Sequence, residues 1–238
     1  MKHSYRRFLD NSMVKLSAGV TLATLMMGSA AAGTIFTVPP GLAPGQQYRL
    51  IFYTAGTRDG SSINIADYNT FVTNQANTNA TLTGLGTSWM AVASTATVNA
   101  FDNIGGAFSV PVYNLNGQLV ATGSAGLWGG SLTNAIGYDQ NGTFSANHIL
   151  TGTNSNGLAS AQPLGASPNV SRGRSDLTTS SWINESNSVG NNVAYKLFAF
   201  SATLTAPAAT PEPSTVGLAT IGLAALGFFK ARQRGSKV

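Results

Sequence analysis

The sequence contains no cysteine and few charges: only 9% of its 238 residues are Asp, Glu, Lys or Arg. Without cysteine there can be no disulfide framework, no thiol chemistry and no cysteine-ligated zinc. That lack suits a reducing compartment, and equally an exported protein that relies on its core. Soluble domains usually have about a quarter of their residues charged. Between residues 33 and 210 only 11 residues are charged, and Asn, Thr, Ser, Gly and Ala take their place. Aromatic and aliphatic residues recur throughout that stretch, which excludes a disorder composition.

Basic charge is also missing where a basic protein would need it. The whole chain has net charge +5 and a pI near 9.7, which taken alone suggests an acidic partner. Residues 1–32 hold Lys2, Arg6, Arg7 and Lys15 against Asp10, a net +3. Residues 211–238 hold Lys230, Arg232, Arg234 and Lys237 against Glu212, again +3. The middle has Arg49, Arg58, Arg172, Arg174 and Lys196 against five Asp and Glu185, a net −1. It has no cationic surface for a phosphate backbone, so nucleic acid is not an expected partner.

The ends read as addresses. A basic segment from Lys2 to Lys15 precedes an apolar run from Leu16 to Met27 and small residues after it. Ala30 and Ala32 form an A-x-A site, so residues 1–32 are expected to be a signal peptide cut by signal peptidase before Gly33. At the other end, Thr210-Pro211-Glu212-Pro213-Ser214-Thr215 is a Pro-rich linker (207–215). It leads into apolar residues 216–229 and a basic tail, 230–238. Fourteen helical residues span about 21 Å at 1.5 Å each, against roughly 30 Å of hydrocarbon. Such a helix spans the membrane only with Lys230 and Arg232 snorkelling to the interface. The positive-inside rule then places both basic ends in the cytoplasm and 33–206 outside.

This C-terminus resembles the PEP-CTERM sorting signal, on Pro211, Glu212, Pro213, Ser214, Thr215, the short Gly/Ala/Leu helix and the basic cluster Lys230, Arg232, Arg234. The resemblance implies an exosortase that recognises the Pro-Glu-Pro region and removes the helix. It also implies an exported protein at the envelope surface or in the extracellular matrix of a Gram-negative bacterium, linked to exopolysaccharide and biofilm.

Within the middle, 34–38 alternates and stops at Pro39-Pro40, as a short strand would. Residues 48–54 are β-branched and aromatic, a strand covered on both faces. Ser61-Ser62 offers a cap for a helix over 63–77, with Ile65, Tyr68, Val72 and Ala76 on one face. A strand is expected over 88–94, and a hairpin over 110–121 around Asn116-Gly117. Leu127-Trp128, Ile149-Leu150 and Trp182-Ile183 are apolar anchors in a long polar loop region, 122–190. A closing strand is expected from Val193 to Leu204. The fold class is α+β: a single domain of short antiparallel strands, one early helix and long loops, flanked by two hydrophobic terminal helices.

The order of these pieces resembles the endostatin-like branch of the C-type lectin-like fold. The shared pattern runs from the strand 50–54, through Ala66-Asp67 and Leu85-Gly86-Thr87-Ser88-Trp89, to Val110-Pro111-Val112-Tyr113. It continues through Leu127-Trp128-Gly129-Gly130, Leu150-Thr151-Gly152-Thr153 and Trp182 to the final strand 195–200. The disulfide cysteines of that fold are missing here, so packing must supply the stability. The resemblance implies that the first and last strands pair, with 35–38 or 50–53 lying beside 196–200.

Chemistry-bearing residues are sparse. His148 is the one histidine of the middle, and no G-x-S-x-G elbow frames a serine, so a secreted hydrolase remains only an alternative resting on His148. Arg58-Asp59 reads as a turn ion pair, Asp67 as a charge on a helix N-terminus, and Asp102 and Asp139 as turn residues. Calcium needs six to eight oxygens. Trp182-Ile183-Asn184-Glu185 resembles the Trp-Asn-Asp element of calcium-binding lectins of this fold, but the partner element, Glu-Pro-Asn or Gln-Pro-Asp, is missing, Gln162-Pro163-Leu164 lacking its final oxygen ligand, so no metal and no cofactor are expected. Sequons at Asn79, Asn141, Asn169 and Asn184 match the frequency of Asn, Ser and Thr. Arg172 and Arg174, with Trp182 for stacking, form a candidate contact for an extracellular polysaccharide. The expected function is non-enzymatic: a surface or matrix protein in adhesion, with a calcium-independent carbohydrate-binding module as the alternative.

Overall fold

Strand β1, Gln47–Tyr53, is buried at every position after the first. It pairs antiparallel with β8, Phe198–Ser201, so that Ile51 faces Phe200 and Tyr53 faces Phe198. The computed structural model describes residues 33–208. Ala30, Ala32 and the rest of the expected signal peptide, the Pro-Glu-Pro element, the apolar helix and the basic tail lie outside the described residues. Among those described, no helix is long and apolar enough to cross a membrane.

Alternation along β1 and β8 sends successive side chains to opposite sides of the sheet. Both sides are covered. On one, Tyr48, Leu50, Phe52, Leu197 and Ala199 pack against Tyr68, Val72 and Ala76. These last three lie on helix α1, Ile65–Ala76. On the other, Ile51, Tyr53, Phe198 and Phe200 pack against Ile104, Leu127, Ile136 and Trp182. Each large apolar side chain buried in this way contributes roughly 1.5–3 kcal/mol. The expected apolar face of α1 is the buried face. Its cap is Asn64, whose side chain accepts from the Ala66 N–H, so Ser61-Ser62 is not the cap. Ser62 instead donates its hydroxyl to Asp67 at 2.6 Å.

The main sheet also holds β2, Trp89–Ala91, β3, Val112–Asn114, and β4, Leu119–Ala121, in the order β2-β8-β1-β3-β4, and a short β9, Leu204–Thr205, pairs with β1. The β3–β4 hairpin turns at Gly117, which has φ +74°, a conformation glycine adopts without a Cβ penalty.

Four expectations need correction. β3 runs parallel to β1, so the sheet is mixed. A parallel neighbour needs a long crossover, and residues 54–111 supply it with α1 and with one-turn helices α2, Ala80–Thr83, and α3, Ala100–Asn103. With α4, Ser124–Leu127, α1 is therefore not the lone helix. Residues 34–38 form no strand: the Phe36 N–H reaches the Leu115 carbonyl at 2.8 Å, and Pro39-Pro40 then removes two donors in a row. The 122–190 region is not simply loop. β5, His148–Leu150, β6, Asn169–Arg174, and β7, Asn187–Gly190, form a second, antiparallel sheet in the order β5-β6-β7. The architecture is thus mixed α/β, rich in strands and with few helices.

Gly173, the fifth residue of β6, lets the second sheet lie against the main chain of 182–183. A Cβ there would stand 2.6 Å from the Trp182 carbonyl carbon and 2.7 Å from that of Ile183. Gly173→Ala should therefore cost roughly 1–3 kcal/mol by overpacking, read as a lowered midpoint in urea. An unchanged midpoint would show that this contact relaxes freely.

Burial pushes the phenols of Tyr53 and Tyr68 up to about 12. Both states hold the neutral phenol below pH 10. Above that the unfolded chain ionises first, so these two groups lose their stabilising contribution as pH rises from 10 to about 12. Lys196, lowered by burial, acts with the opposite sign. Melting temperature should fall over that window, and Tyr53→Phe should make the fall shallower.

Candidate functional site

Arg172 and Arg174 stand two apart on β6, so they share a face, and Gly173 points to the other. His148 on β5 is the register partner of Arg174. The one-turn 3-10 helix Ser180–Trp182 brings Glu185 onto this face. Its Oε1 lies 3.0 Å from His148 Nδ1 and its Oε2 3.6 Å from Arg172 Nε. Arg174 makes a two-pronged contact with Asp176, at 3.0 and 2.7 Å, which holds its guanidinium above its ordinary pKa. Arg172 Nη1 also donates to the Tyr195 hydroxyl at 3.4 Å. The cluster therefore pairs cations with carboxylates, while Arg172 Nε, 3.6 Å from Glu185 Oε2, is buried without a hydrogen bond.

The same holds for the other basic residues of the described chain. Arg49 donates to the Ile104 carbonyl at 2.7 Å and lies over the Phe108 and Phe200 rings at 4.7 and 5.1 Å. Arg58 donates to the Asp67 carbonyl at 2.6 Å and lies over Tyr68 at 4.4 Å. Lys196 donates to the Ala55 carbonyl at 2.6 Å. All five cations are engaged inside the domain. Sequence reading missed this, because the partners of Arg49 and Lys196 come from distant segments.

The three residues expected to contact a glycan separate. Arg172 and Arg174 share a face, but Trp182 is 0% exposed. Its ring packs 5.9 Å from Trp128 and 5.6 Å from Phe198. Trp182 is a core residue and offers no stacking surface, because Gly173 draws its backbone against β6. The Asp and Glu readings fare differently. Asp139 accepts from the Asn141 and Thr143 N–H groups, each at 2.9 Å, as a turn residue does. Arg58 pairs with Asp67 at 3.7 Å, while Asp59 accepts from Ser61, so the ion pair lies with Asp67 and not with its chain neighbour. Among the described residues no three His, Asp or Glu side chains group as a metal site. Glu185, the carboxylate of the calcium-like tetrapeptide, is occupied by His148 and Arg172. Gly33, the residue expected after the signal cleavage site, lies against Gly142.

The fold defines a strand-rich mixed α/β unit whose charges close on themselves. What places the protein is the segment that follows. Residues 209–234 match the PEP-CTERM protein-sorting motif, which contains Pro211, Glu212, Pro213, Ser214, Thr215, Lys230, Arg232 and Arg234. The motif indicates exosortase-dependent export, membrane association and localisation to the cell surface. No curated protein matches the chain.

Removing the Glu185 charge leaves Arg172, Arg174 and His148 together with only Asp176. Glu185→Gln should cost roughly 1–3 kcal/mol, read by chemical denaturation, and the deficit should shrink in high salt. A chelator should leave the melting temperature unchanged, because the carboxylate is held by side chains. A chelator-induced drop would mean that a cation holds it instead.

Proposed function

We propose that this chain is an exported, non-enzymatic surface protein whose domain, residues 33–206, works outside the cell in adhesion or in the extracellular matrix. The observation that carries this reading is the PEP-CTERM motif at 209–234, which begins three residues after Ala206, the last buried residue of the described chain. The N-terminal segment 1–32 supplies the route to the membrane as a signal peptide, and the apolar helix anchors the precursor until an exosortase acts. Three features of the described domain fit a role without catalysis. His148 is bound to Glu185 and edge-on to Tyr195. The cations are engaged internally. The core is built of packed rings.

The endostatin-like, lectin-like reading of the fold is part of the same proposal. Its support is the antiparallel pairing of β1 with β8, the contact that the resemblance required. An adhesive role in biofilm or exopolysaccharide follows from the PEP-CTERM resemblance taken together with this reading.

Fractionation of cells expressing the full chain and a form lacking 211–238 tests the sorting claim. The full chain should be found with the surface fraction, and the truncated form should be lost to the periplasm or the medium. Identical distributions would sink the claim. For the non-enzymatic claim, any hydrolytic activity of the purified chain that His148→Ala abolishes would overturn it.

A further inference from the structure

Beside the second sheet lies an open cleft with a volume of about 380 Å³, lined by Asn154, Ser160, Gln162, Asn184, Ser186 and Ser188 among others. A second cavity of about 360 Å³ shares Asn154, Asn184 and Ser186 with it. Together they make one polar groove. Neither cavity has a Lys, Arg, Asp, Glu or aromatic residue in its lining, and Ala161 is the one apolar residue there. The groove therefore offers no counter-charge for phosphate, sulfate or uronate, no carboxylate for a cation and no apolar pocket for a hydrophobic side chain. What it does offer is a dense set of amides and hydroxyls, groups that donate and accept at once.

Half of that set is held in place. Asn184 Nδ2 donates to Asn154 Oδ1 at 3.0 Å, and Asn154 Nδ2 donates to the Ala159 carbonyl at 3.2 Å. Ser160 Oγ donates to Ser171 Oγ at 2.9 Å and accepts from the Gln162 N–H at 3.1 Å. The other half is free: the side chains of Gln162, Ser186 and Ser188 make no hydrogen bond among the described residues, although the Ser186 and Ser188 N–H groups are satisfied. Ser186 is also the one non-glycine residue of the described chain with a left-handed backbone, φ 57°. The Asn184 side chain, accepting from the Ser186 N–H at 2.9 Å, holds it there.

We propose that this Asn/Ser groove binds an uncharged polyhydroxylated ligand, a segment of neutral polysaccharide. The hydroxyls of such a chain match donor–acceptor groups in both roles. An open groove without an apolar floor gives weak single-site binding, which a polymer bearing many repeats, or many protein copies on one surface, multiplies by avidity. Arg172 and Arg174 play no part, being paired with Glu185 and Asp176. This inference rests on the surface-protein reading above and names the ligand class for it.

The purified full chain in detergent is tested for co-sedimentation with an insoluble uncharged glucan. A polyuronate and a Ser/Asn-rich peptide serve as parallel probes, and the glucan is competed with soluble dextran. Glucan binding should survive high salt and chelator, because no ion pair carries it. The double variant Gln162→Ala/Ser188→Ala, whose side chains hold nothing else together, should weaken glucan retention about tenfold or more. Ser186→Gly, which removes a hydroxyl while easing the backbone, should weaken it in the same direction. Retention of the polyuronate or the peptide alone, no glucan binding, or equal binding by wild type and double variant would each overturn the proposal. A wild-type chain that reaches the cell surface in fractionation yet binds no glucan overturns this inference and leaves the sorting reading standing. A chain that binds glucan but does not reach the surface does the reverse.

Discussion

The structure depends on one pair of strands buried on both faces. β1 and β8 come from opposite ends of the described chain, and their pairing sets Phe52 against Ala199 on one side and Ile51 against Phe200 on the other. Neither strand can satisfy its backbone polar groups or hide its side chains alone. Until they meet, α1 has no surface for Tyr68 and Val72, and Trp182 and Leu127 have none for their rings and methyls. Such non-local pairing is entropically costly to begin, because almost the whole chain must be closed into a loop before it is rewarded. Once formed, it divides the core into two halves that different segments can cover.

Those segments are chemically unlike. The face under α1 is covered by a regular amphipathic helix. The other face is covered by polar, glycine-rich chain, in which short apolar pairs reach inward and the backbone between them is satisfied by turns and by the second sheet. Low charge is consistent with this arrangement. A domain with few ionic groups can still place each one: Glu185 serves His148 and both arginines, Asp67 serves Arg58, and Arg49 and Lys196 end on main-chain carbonyls. Pairing and hydrogen bonding offset part of the desolvation penalty of these half-buried charges, a penalty that still lowers the pKa of Arg49 and Lys196. The groove beside the second sheet is lined by neutral amides and hydroxyls. It is this outcome, and not net charge, that narrows the ligands the domain can hold.

Several of these features were legible in the sequence. β1, α1 and the hairpin around Gly117 each carry their signal within a window of five to twelve residues, as alternation, helical spacing or a turn dipeptide. The pairing of β1 with the last strand followed from the resemblance to a known fold rather than from the pattern itself. The strand that failed, 34–38, shows the limit of alternation: a suitable pattern next to two prolines makes one ladder contact and no more. β6 failed in the other direction. Asn-Val-Ser-Arg-Gly-Arg has no apolar face to announce a strand, and it becomes one because β5 and β7 lie on either side.

For the candidate site the division is sharper. Residues 211–234 needed no partner to be read, because a sorting signal is recognised as a linear order of Pro-Glu-Pro, apolar run and basic end. Sequence alone therefore determined the sorting signal, the place of β1 and α1 in the core, the absence of any thiol, and the lack of net basic charge between residues 33 and 210. Tertiary structure alone decided that Trp182 is core and not ligand surface, that Arg172 and Arg174 are spent on Glu185 and Asp176, and that Asn154, Gln162 and Ser186 line one groove. The reason is range. A local pattern is fixed by neighbours along the chain, whereas burial, and pairings such as His148 with Glu185 or Lys196 with the Ala55 carbonyl, depend on residues 37 to 141 positions away that meet only when the chain folds.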